Sequence, residues 1–184
     1  TQGVHIHLHD GRTLIDGVSS WWTSVHGYNH PHLLSCVQHQ LQTMPHVMLG
    51  GLAHESAYEL ARRLAAMAPG ALNHVFFTES GSVAVEVAMK IAVQYWRNMR
   101  GENRPKFLSF AGGYHGDTFA TMAVCDPEEG MHHLFQDALM PQYVCELPKD
   151  AQTMAALEEV LMKNKDIAGV LVEPLIQGAG GMQV

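Results

Sequence analysis

The chain has 184 residues, of which 47% are hydrophobic and 16% charged, so it reads as one globular domain and not as a disordered tail or a collagen-like fibre. Eleven Lys and Arg against 18 Asp and Glu give a formal charge of −7, which argues against partners such as nucleic acid or an anionic membrane. Its apolar runs fall short of the roughly 18 residues of a bilayer span, and its first residues do not resemble a signal peptide.

The cysteines and histidines were considered as possible metal ligands. The three cysteines are widely spaced and form neither a disulfide framework nor a metal-binding pair, so the cytoplasm is the expected compartment. Among the 13 histidines, His5, His7 and His9 alternate and would share one face of a strand. None has HExxH spacing, and no cysteine or carboxylate cluster accompanies them, so we expect scattered surface histidines and no metal site.

The predicted elements begin with a small hairpin whose turn is Asp10-Gly11, a dipeptide typical of tight β-turns. Short apolar strands then alternate with amphipathic helices, which indicates an α/β fold with a mainly parallel sheet. In chain order we expect strands at 4–8 and 12–16, helices at 31–44 and 54–68, a strand at 75–78, a helix at 83–99, a strand at 107–110, a helical stretch at 117–124, a helix at 151–164 and a strand at 167–173.

The chain ends soon after the last predicted strand and a glycine-rich loop, before a doubly wound sheet would be complete. We therefore expect an N-terminal segment at 1–53, followed at 54–184 by the first part of a large domain that is incomplete at its C-terminus.

Three loops follow predicted strands, at the sheet edge where α/β proteins bind ligands. In the first, Gly81, Ser82 and Val83 open a helix, so their N–H groups and the helix dipole could hold a phosphate or a carboxylate. The alternative is an ordinary N-cap serine. No Walker motif follows, because the loop lacks the GK[ST] sequence.

The other two loops carry an aromatic, an imidazole and a carboxylate. Tyr114 and His115 lie among glycines, which let a ligand approach the backbone while the tyrosine offers a flat stacking face; the alternative is a tight turn. Glu173 ends the last predicted strand, where a buried carboxylate needs a partner; the alternative is a surface glutamate. Upstream, Trp21 and Trp22 either wall an apolar substrate pocket or belong to the core.

Taken in order, these segments resemble the class III pyridoxal-phosphate aminotransferases of fold type I. The resemblance covers nearly the whole chain and rests on DGRTLIDGVSSWWTSVHGYNHPHL, FTESGSVAVEVAMKIA, FAGGYHGDTFATMAV and VLVEPLIQGAGGM. Tyr28-Asn29-His30-Pro31 stands where most members have a Gly-His pair before the proline, and Ala179 stands where most have a glutamate. Ala179 and the two tryptophans favour the branch that acts in biotin synthesis.

The resemblance implies a role for each of these residues around pyridoxal 5'-phosphate (PLP). Gly81, Ser82 and Val83 would hold its phosphate, Tyr114 would stack on its ring and His115 would line the same pocket. Glu173 would join the hydrogen-bond network around the aspartate that pairs with the ring nitrogen. That aspartate and the Schiff-base lysine lie after Met182 in the family, so we expect no catalytic lysine here and no transamination by the 184 residues alone.

The resemblance also implies substrates and an assembly for the complete protein. Trp21 and Trp22 would flank 8-amino-7-oxononanoate, and Asp117 would lie near the site of the amino donor, S-adenosylmethionine. The protein would form a homodimer with no nucleic-acid or membrane partner. The alternatives are another class III transaminase for ω-amino acids or amines, and a phosphate-binding module without chemistry.

Overall fold

The computed structural model describes residues 1–127 and 132–179. It divides the chain into two compact units, Thr1–Val75 and a second unit that begins at Phe76. The expected division of the complete protein after residue 53 stays a prediction. Within the described residues, no helix combines the length and the apolar character needed to cross a membrane.

The first unit contains a hairpin and two helices. Strands β1 (His5–His7) and β2 (Thr13–Ile15) pair in antiparallel fashion, and Gly11 has a φ of +87° in the turn, as the Asp-Gly dipeptide predicts. Helix α1 (Pro31–Thr43) begins with the proline, whose fixed φ suits the first turn. Helix α2 (Glu55–Met67) begins after His54, whose ring accepts a hydrogen bond from the N–H of Ala57.

The second unit is a partial α/β fold. Its helices are α3 (Gly81–Arg100), α4 (Phe119–Met122), a 3-10 helix (His133–Ala138) and α5 (Ala151–Lys163). Its strands are β3 (Lys106–Phe110), β4 (Tyr143–Cys145) and β5 (Ile167–Val170). The strands form a parallel sheet in the order β4-β3-β5, which confirms the predicted fold class.

Helices cover both faces of this sheet because the side chains of β3 point alternately to opposite sides. Phe107 packs with Met89 of α3 and with Val124, while Leu108 packs on the other face with Ile167 and with Leu157 of α5. Leu108 and Val124 are fully buried. The two apolar layers hold the sheet so that the carboxyl ends of β3, β4 and β5 share one edge.

Several predicted elements are corrected by the structure. Residues 75–78 have no regular secondary structure, because β4 and β5 occupy both sides of β3 and no described strand pairs with this segment. The last strand ends at Val170 and not at residue 173, and α4 spans four residues because i→i+3 hydrogen bonds tighten the chain after Met122. Strand β4 and the 3-10 helix were missed, since each is too short to show periodicity.

Candidate active site

The first predicted loop forms the N-terminus of α3. Ser80 caps the helix, and its Oγ accepts a hydrogen bond from the N–H of Val83 at 3.2 Å. The N–H of Val83 is thus used by the cap. The N–H groups of Gly81 and Ser82, by contrast, have no partner in the described part of the chain, as is usual for the first turn of a helix. They leave two donors and the positive end of the helix dipole for an anion.

The second predicted loop lies directly against this helix end. Ser82 Oγ accepts a hydrogen bond from the N–H of Asp117 at 3.0 Å. Gly116 has a φ of +131°, and a Cβ there would lie 2.8 Å from Ser82 Cα, so only glycine fits. One turn further along α3, Glu86 Oε1 accepts from the N–H of Ala120 at 3.0 Å. The structure therefore brings together two segments that the sequence singled out separately.

The third predicted loop joins the second through one carboxylate. Glu173 Oε2 accepts from the N–H of Tyr114 at 3.1 Å, and its Oε1 accepts from the N–H of Gly178 at 2.7 Å. Gln177 donates to the carbonyl of Gly112, which adds a second link between the loops. Sequence reasoning expected a glutamate in a ring-nitrogen network; among the described residues its partners are these two backbone N–H groups.

A cleft of about 370 Å³ lies at the carboxyl ends of the three strands. Segments 110–113 and 171–177 form much of its lining, and His115, Glu173 and Lys149 are among its polar groups. Because the strands are parallel, this edge collects the loops that follow them, which is where α/β folds bind ligands. Of the predicted site residues, His115 and Glu173 line this cleft, whereas Gly81, Ser82 and Tyr114 are not part of its lining.

His115 is neutral at physiological pH in this environment. Burial lowers its pKa from the ordinary value of 6.5, and the nearby Glu173 carboxylate opposes this effect without cancelling it. Its backbone N–H donates to Cys125 Sγ at 3.2 Å, and the Cys125 thiol donates to the carbonyl of Thr121 at 3.2 Å. Burial raises the pKa of the Cys125 thiol, so the sulfur stays protonated.

Tyr114 contacts two groups that fix its side chain. Burial raises the pKa of its phenol to about 12, helped by a hydrogen bond to the Asp117 carboxylate. Its ring is stacked on that of His132, with centroids 6.1 Å apart and planes 23° apart. Sequence reasoning missed His132, because 18 residues separate it from Tyr114 and no motif marks the pair.

Trp21 and Trp22 lie in the first unit, on a segment with an unusual backbone. Ser19, Ser20, Trp21 and Trp22 all have positive φ values, between 46° and 76°, which non-glycine residues seldom adopt. Such strain persists only where the surroundings enforce it, and it is concentrated at functional sites. Trp21 is 85% exposed, so it is not the core residue of the alternative interpretation.

Two residues that the sequence did not reveal hold this strained segment. Asp16 accepts hydrogen bonds from the N–H groups of Val18 at 3.0 Å and Ser20 at 2.8 Å, and from the phenol of Tyr28 at 2.6 Å. Tyr28 also contacts the Ser20 hydroxyl. These bonds lower the pKa of Asp16 below its ordinary value of 3.8, with the Tyr28 phenol as the largest cause. The signal available in the sequence was the aspartate itself, because aspartate side chains often accept from the backbone N–H two residues later and form an Asx-turn.

The described residues, 1–127 and 132–179, contain no group of three or more His, Cys, Asp or Glu side chains arranged to hold a metal ion.

Comparison with known proteins identifies the class. The family profile described as "Aminotransferase class-III" matches residues 1–184, so the chain belongs to the class III aminotransferases. Within the family it is 43% identical over 189 residues to the adenosylmethionine-8-amino-7-oxononanoate aminotransferase of Corynebacterium glutamicum, and 40% identical over 191 residues to that of Saccharomyces cerevisiae. The matches cover 100% and 92% of this chain.

Solved structures agree with the fold. The crystal structure of adenosylmethionine-8-amino-7-oxononanoate aminotransferase from Methanocaldococcus jannaschii superposes with a TM-score of 0.87 at 29% identity, over 95% of this chain and 40% of that one. A PLP-bound amine transaminase from an uncultivated Pseudomonas species gives 0.82 at 28% identity, over 95% of this chain and 43% of that one. The chain spans 45% and 39% of the lengths of the Corynebacterium and yeast relatives.

Proposed function

We propose that the complete protein is a PLP-dependent aminotransferase of biotin synthesis, which transfers the amino group of S-adenosylmethionine to 8-amino-7-oxononanoate and gives 7,8-diaminononanoate. The observation that carries the proposal is the meeting of three loops at one sheet edge. Ser82 joins the first loop to the second, and Glu173 joins the second to the third. The relatives named for this reaction are 39–43% identical over the first five matches.

The residues of the second unit fit PLP. A phosphate needs several convergent donors, and the unpartnered N–H groups of Gly81 and Ser82 lie at a helix N-terminus where the dipole favours an anion. A Cβ built at Gly81 meets no atom within 4 Å, so this end of α3 is open to a ligand. We call the N–H groups of Gly81 and Ser82 the cradle. Val83 supports this cradle indirectly, since its N–H bonds to the Ser80 side chain that caps the helix.

Beside this cradle, Tyr114 and His115 supply an aromatic face and a neutral imidazole. Tyr114 stays protonated at physiological pH, so it offers a flat ring without a charge against a pyridine ring. His115 lines the cleft in its neutral form, and Glu173 holds the backbone of Tyr114 in place. PLP would act as the electron sink of the reaction, while these residues bind and orient it.

Two sets of residues are proposed to contact the substrates, and each is described within its own unit. Trp21 and Trp22 present large apolar surfaces on a strained segment, which suits the apolar chain of an oxo-amino fatty acid. Asp117 keeps an exposed carboxylate beside Tyr114, where it can attract a cationic amino donor.

Two catalytic groups of the proposed enzyme are not among these 184 residues. The five lysines here are Lys90, Lys106, Lys149, Lys163 and Lys165, and none matches the family's Schiff-base motif. Lys90, for example, lies on an exposed position of α3. The Schiff-base lysine and the ring-nitrogen aspartate are therefore proposed to follow this segment in the complete protein. We also propose that the complete protein is a homodimer. We propose a cytoplasmic location for it, because the three unpaired cysteines of this chain suit a reducing compartment.

A second candidate is a class III transaminase that uses other amines. It is favoured by the amine and ω-transaminases among the structural neighbours, such as the amine transaminase from an uncultivated Pseudomonas species, with a TM-score of 0.82 at 28% identity. The higher identity to the biotin-pathway enzymes argues against it. A phosphate-binding module without chemistry remains the third possibility, and it too would use the cradle.

Cofactor binding by the complete protein tests the cradle. Replacing Ser82→Ala removes a hydroxyl near the phosphate and the acceptor for the Asp117 N–H, so the Kd for PLP should rise about tenfold, the equivalent of about 1.4 kcal/mol. Gln94→Ala, about three turns along the same helix, is the control and should leave the Kd unchanged. Equal affinities of the wild-type and Ser82→Ala proteins for PLP would contradict the proposal that this end of α3 binds the cofactor phosphate.

A further inference from the structure

His132 is a buried imidazole that the proposed reaction does not yet use. It is 6% exposed, and its Nε2 makes no hydrogen bond within the described part of the chain. A polar atom that is both buried and unsatisfied costs about 1–3 kcal/mol in mutational studies, so native structures usually provide a partner nearby. The position of this imidazole therefore calls for a functional explanation.

An acceptor close to this nitrogen is the carboxylate of Asp117. Nε2 lies 3.4 Å from Asp117 Oδ1, which is slightly longer than a good hydrogen bond. A small approach of the two groups would satisfy the orphan nitrogen and restrain a carboxylate that is otherwise 63% exposed. The same carboxylate interacts with the Tyr114 phenol and helps to raise its pKa, so one carboxylate faces two side chains.

The second contact of His132 is the ring of Tyr114 itself. The two rings are nearly parallel, with an interplanar angle of 23°, so the imidazole forms a flat support on one side of the phenol. The backbone of Tyr114 is held by Glu173, and that of Asp117 by Ser82. Tyr114, Asp117 and His132 thus make a closed set of contacts that is anchored to α3 and to the loop after β5.

We propose that His132 is a positioning residue, whose ring orients Tyr114 for stacking on the cofactor and whose Nε2–H restrains the Asp117 carboxylate near the amino-donor site. This inference rests on the proposed function for the identity of the ligands. The contacts among the three side chains belong to the protein alone, and they are testable without a cofactor.

Two variants of the complete protein separate the two contacts. His132→Phe keeps an aromatic support but removes the N–H, while His132→Gln keeps an N–H donor but removes the ring. The first readout is the 19F NMR signal of Tyr114 in cofactor-free protein labelled with 3-fluorotyrosine, which is assigned by its loss in Tyr114→Phe. We expect His132→Gln to shift or broaden this signal and His132→Phe to preserve one sharp resonance.

Ligand binding gives the second readout. We expect His132→Gln to raise the Kd for PLP about two- to tenfold, which corresponds to the usual worth of an aromatic pair, and His132→Phe to leave it nearly unchanged. His132→Phe should instead raise the KM for the amino donor with little change in kcat, because Asp117 loses its restraint.

Asp117→Ala provides a variant whose folding is not in question, since the side chain is exposed. It removes the acceptor for both His132 and the Tyr114 phenol, so the 19F signal of Tyr114 should broaden. An unchanged Tyr114 signal in both His132→Gln and Asp117→Ala would overturn the positioning role. A changed Tyr114 signal in both variants, together with a wild-type protein that fails to transaminate, would instead sustain the positioning role and reject the proposed function.

Discussion

At the scale of single residues, Glu173 links two loops of the candidate site through its two carboxylate oxygens. Its two oxygens accept hydrogen bonds from Tyr114 and Gly178, which lie in different loops. Hydrogen bonds to a charged acceptor are roughly twice as strong as neutral ones, so the carboxylate matters as much as its position. The residue was predicted from its place at a strand end, but its partners depend on a loop 59 positions away.

Replacing Glu173→Gln should therefore loosen both loops. The amide has a single accepting oxygen and no charge, so at least one N–H loses its partner, and we expect the Kd for PLP to rise about tenfold or more. Glu146→Gln is a matched control, since Glu146 lines the same cleft without a described hydrogen bond of its own. Equal effects of the two substitutions on PLP binding by the complete protein would contradict this role.

The lowered pKa of His115 predicts that the stability of the protein falls in mild acid. The His115 pKa in the folded protein lies below the ordinary 6.5, so between the two values the unfolded chain binds more protons and acid favours unfolding. The contribution is complete above about pH 6.5 and is lost as the pH falls through that window. We expect urea midpoints of the wild type to decline more steeply below about pH 6.5 than those of His115→Asn.

The exposed His74 supplies the comparison for this titration. His74→Asn should follow the wild-type curve, whereas His115→Asn should flatten it. Parallel curves for the wild type and His115→Asn would show that the buried imidazole is not the source of the acid sensitivity.

At the scale of elements, side-chain contacts link the C-terminal end of α3 to β5. Trp96 Nε1 donates to the carbonyl of Ala168 at 2.8 Å, and the Arg104 guanidinium lies 3.5 Å above the indole ring. Arg104 also pairs with Glu102 and contacts the carbonyl of Ile167. These contacts fix the angle of α3 against the sheet, and hence the position of the Gly81-Ser82 cradle at its other end.

Trp96→Phe should lower the free energy of unfolding by about 1–2 kcal/mol, since it removes an indole hydrogen bond and weakens the cation–π contact. Tyr95→Phe is the matched control on the same helix, because Tyr95 is exposed and should change stability by less than about 0.5 kcal/mol. Urea denaturation of the complete protein measures both, with amide hydrogen exchange in β5 as the local readout. Similar losses of unfolding free energy in the two variants would contradict a specific stabilising role for the Trp96 contacts.

The predictability of the elements follows from their length and pairing. Helices α1, α2, α3 and α5 were predicted within a few residues, because each presents an apolar stripe over three or more turns. Strand β4 spans three residues, which is too few for periodicity to show. Residues 75–78 have the composition of a strand. A strand also needs a neighbouring strand to pair with, and local composition does not predict that pairing.

The candidate site was predictable to a similar extent. Strand-like segments followed by loops mark Gly81, Tyr114 and Glu173 in the sequence. Parallel strands bring the loops after β3 and β5 to one edge, whereas residues 75–78 form no strand and the Gly81 loop reaches the second loop through Ser82. The residues that support them were not predictable. Asp16 and His132 act through tertiary contacts with Tyr28 and Tyr114, and no spacing rule connects these pairs.

At the scale of the whole molecule, the chain carries one part of the proposed active site. It supplies the candidate groups for phosphate binding, ring stacking and substrate contact, and it spans 45% of the Corynebacterium relative. The Schiff-base lysine is proposed to lie elsewhere in the complete protein, so the 184 residues alone should not transaminate. The division into two compact units places the tryptophan segment in one and the loops of the cleft in the other.

The most direct test is product formation by the complete, PLP-loaded protein supplied with 8-amino-7-oxononanoate and either S-adenosylmethionine or an amine donor. Mass spectrometry distinguishes 7,8-diaminononanoate from its oxo precursor. The account predicts that this product accumulates with S-adenosylmethionine. If no 7,8-diaminononanoate forms from S-adenosylmethionine, while a parallel assay shows amino transfer from simple amines to pyruvate, the biotin-pathway assignment is contradicted and an amine transaminase is favoured.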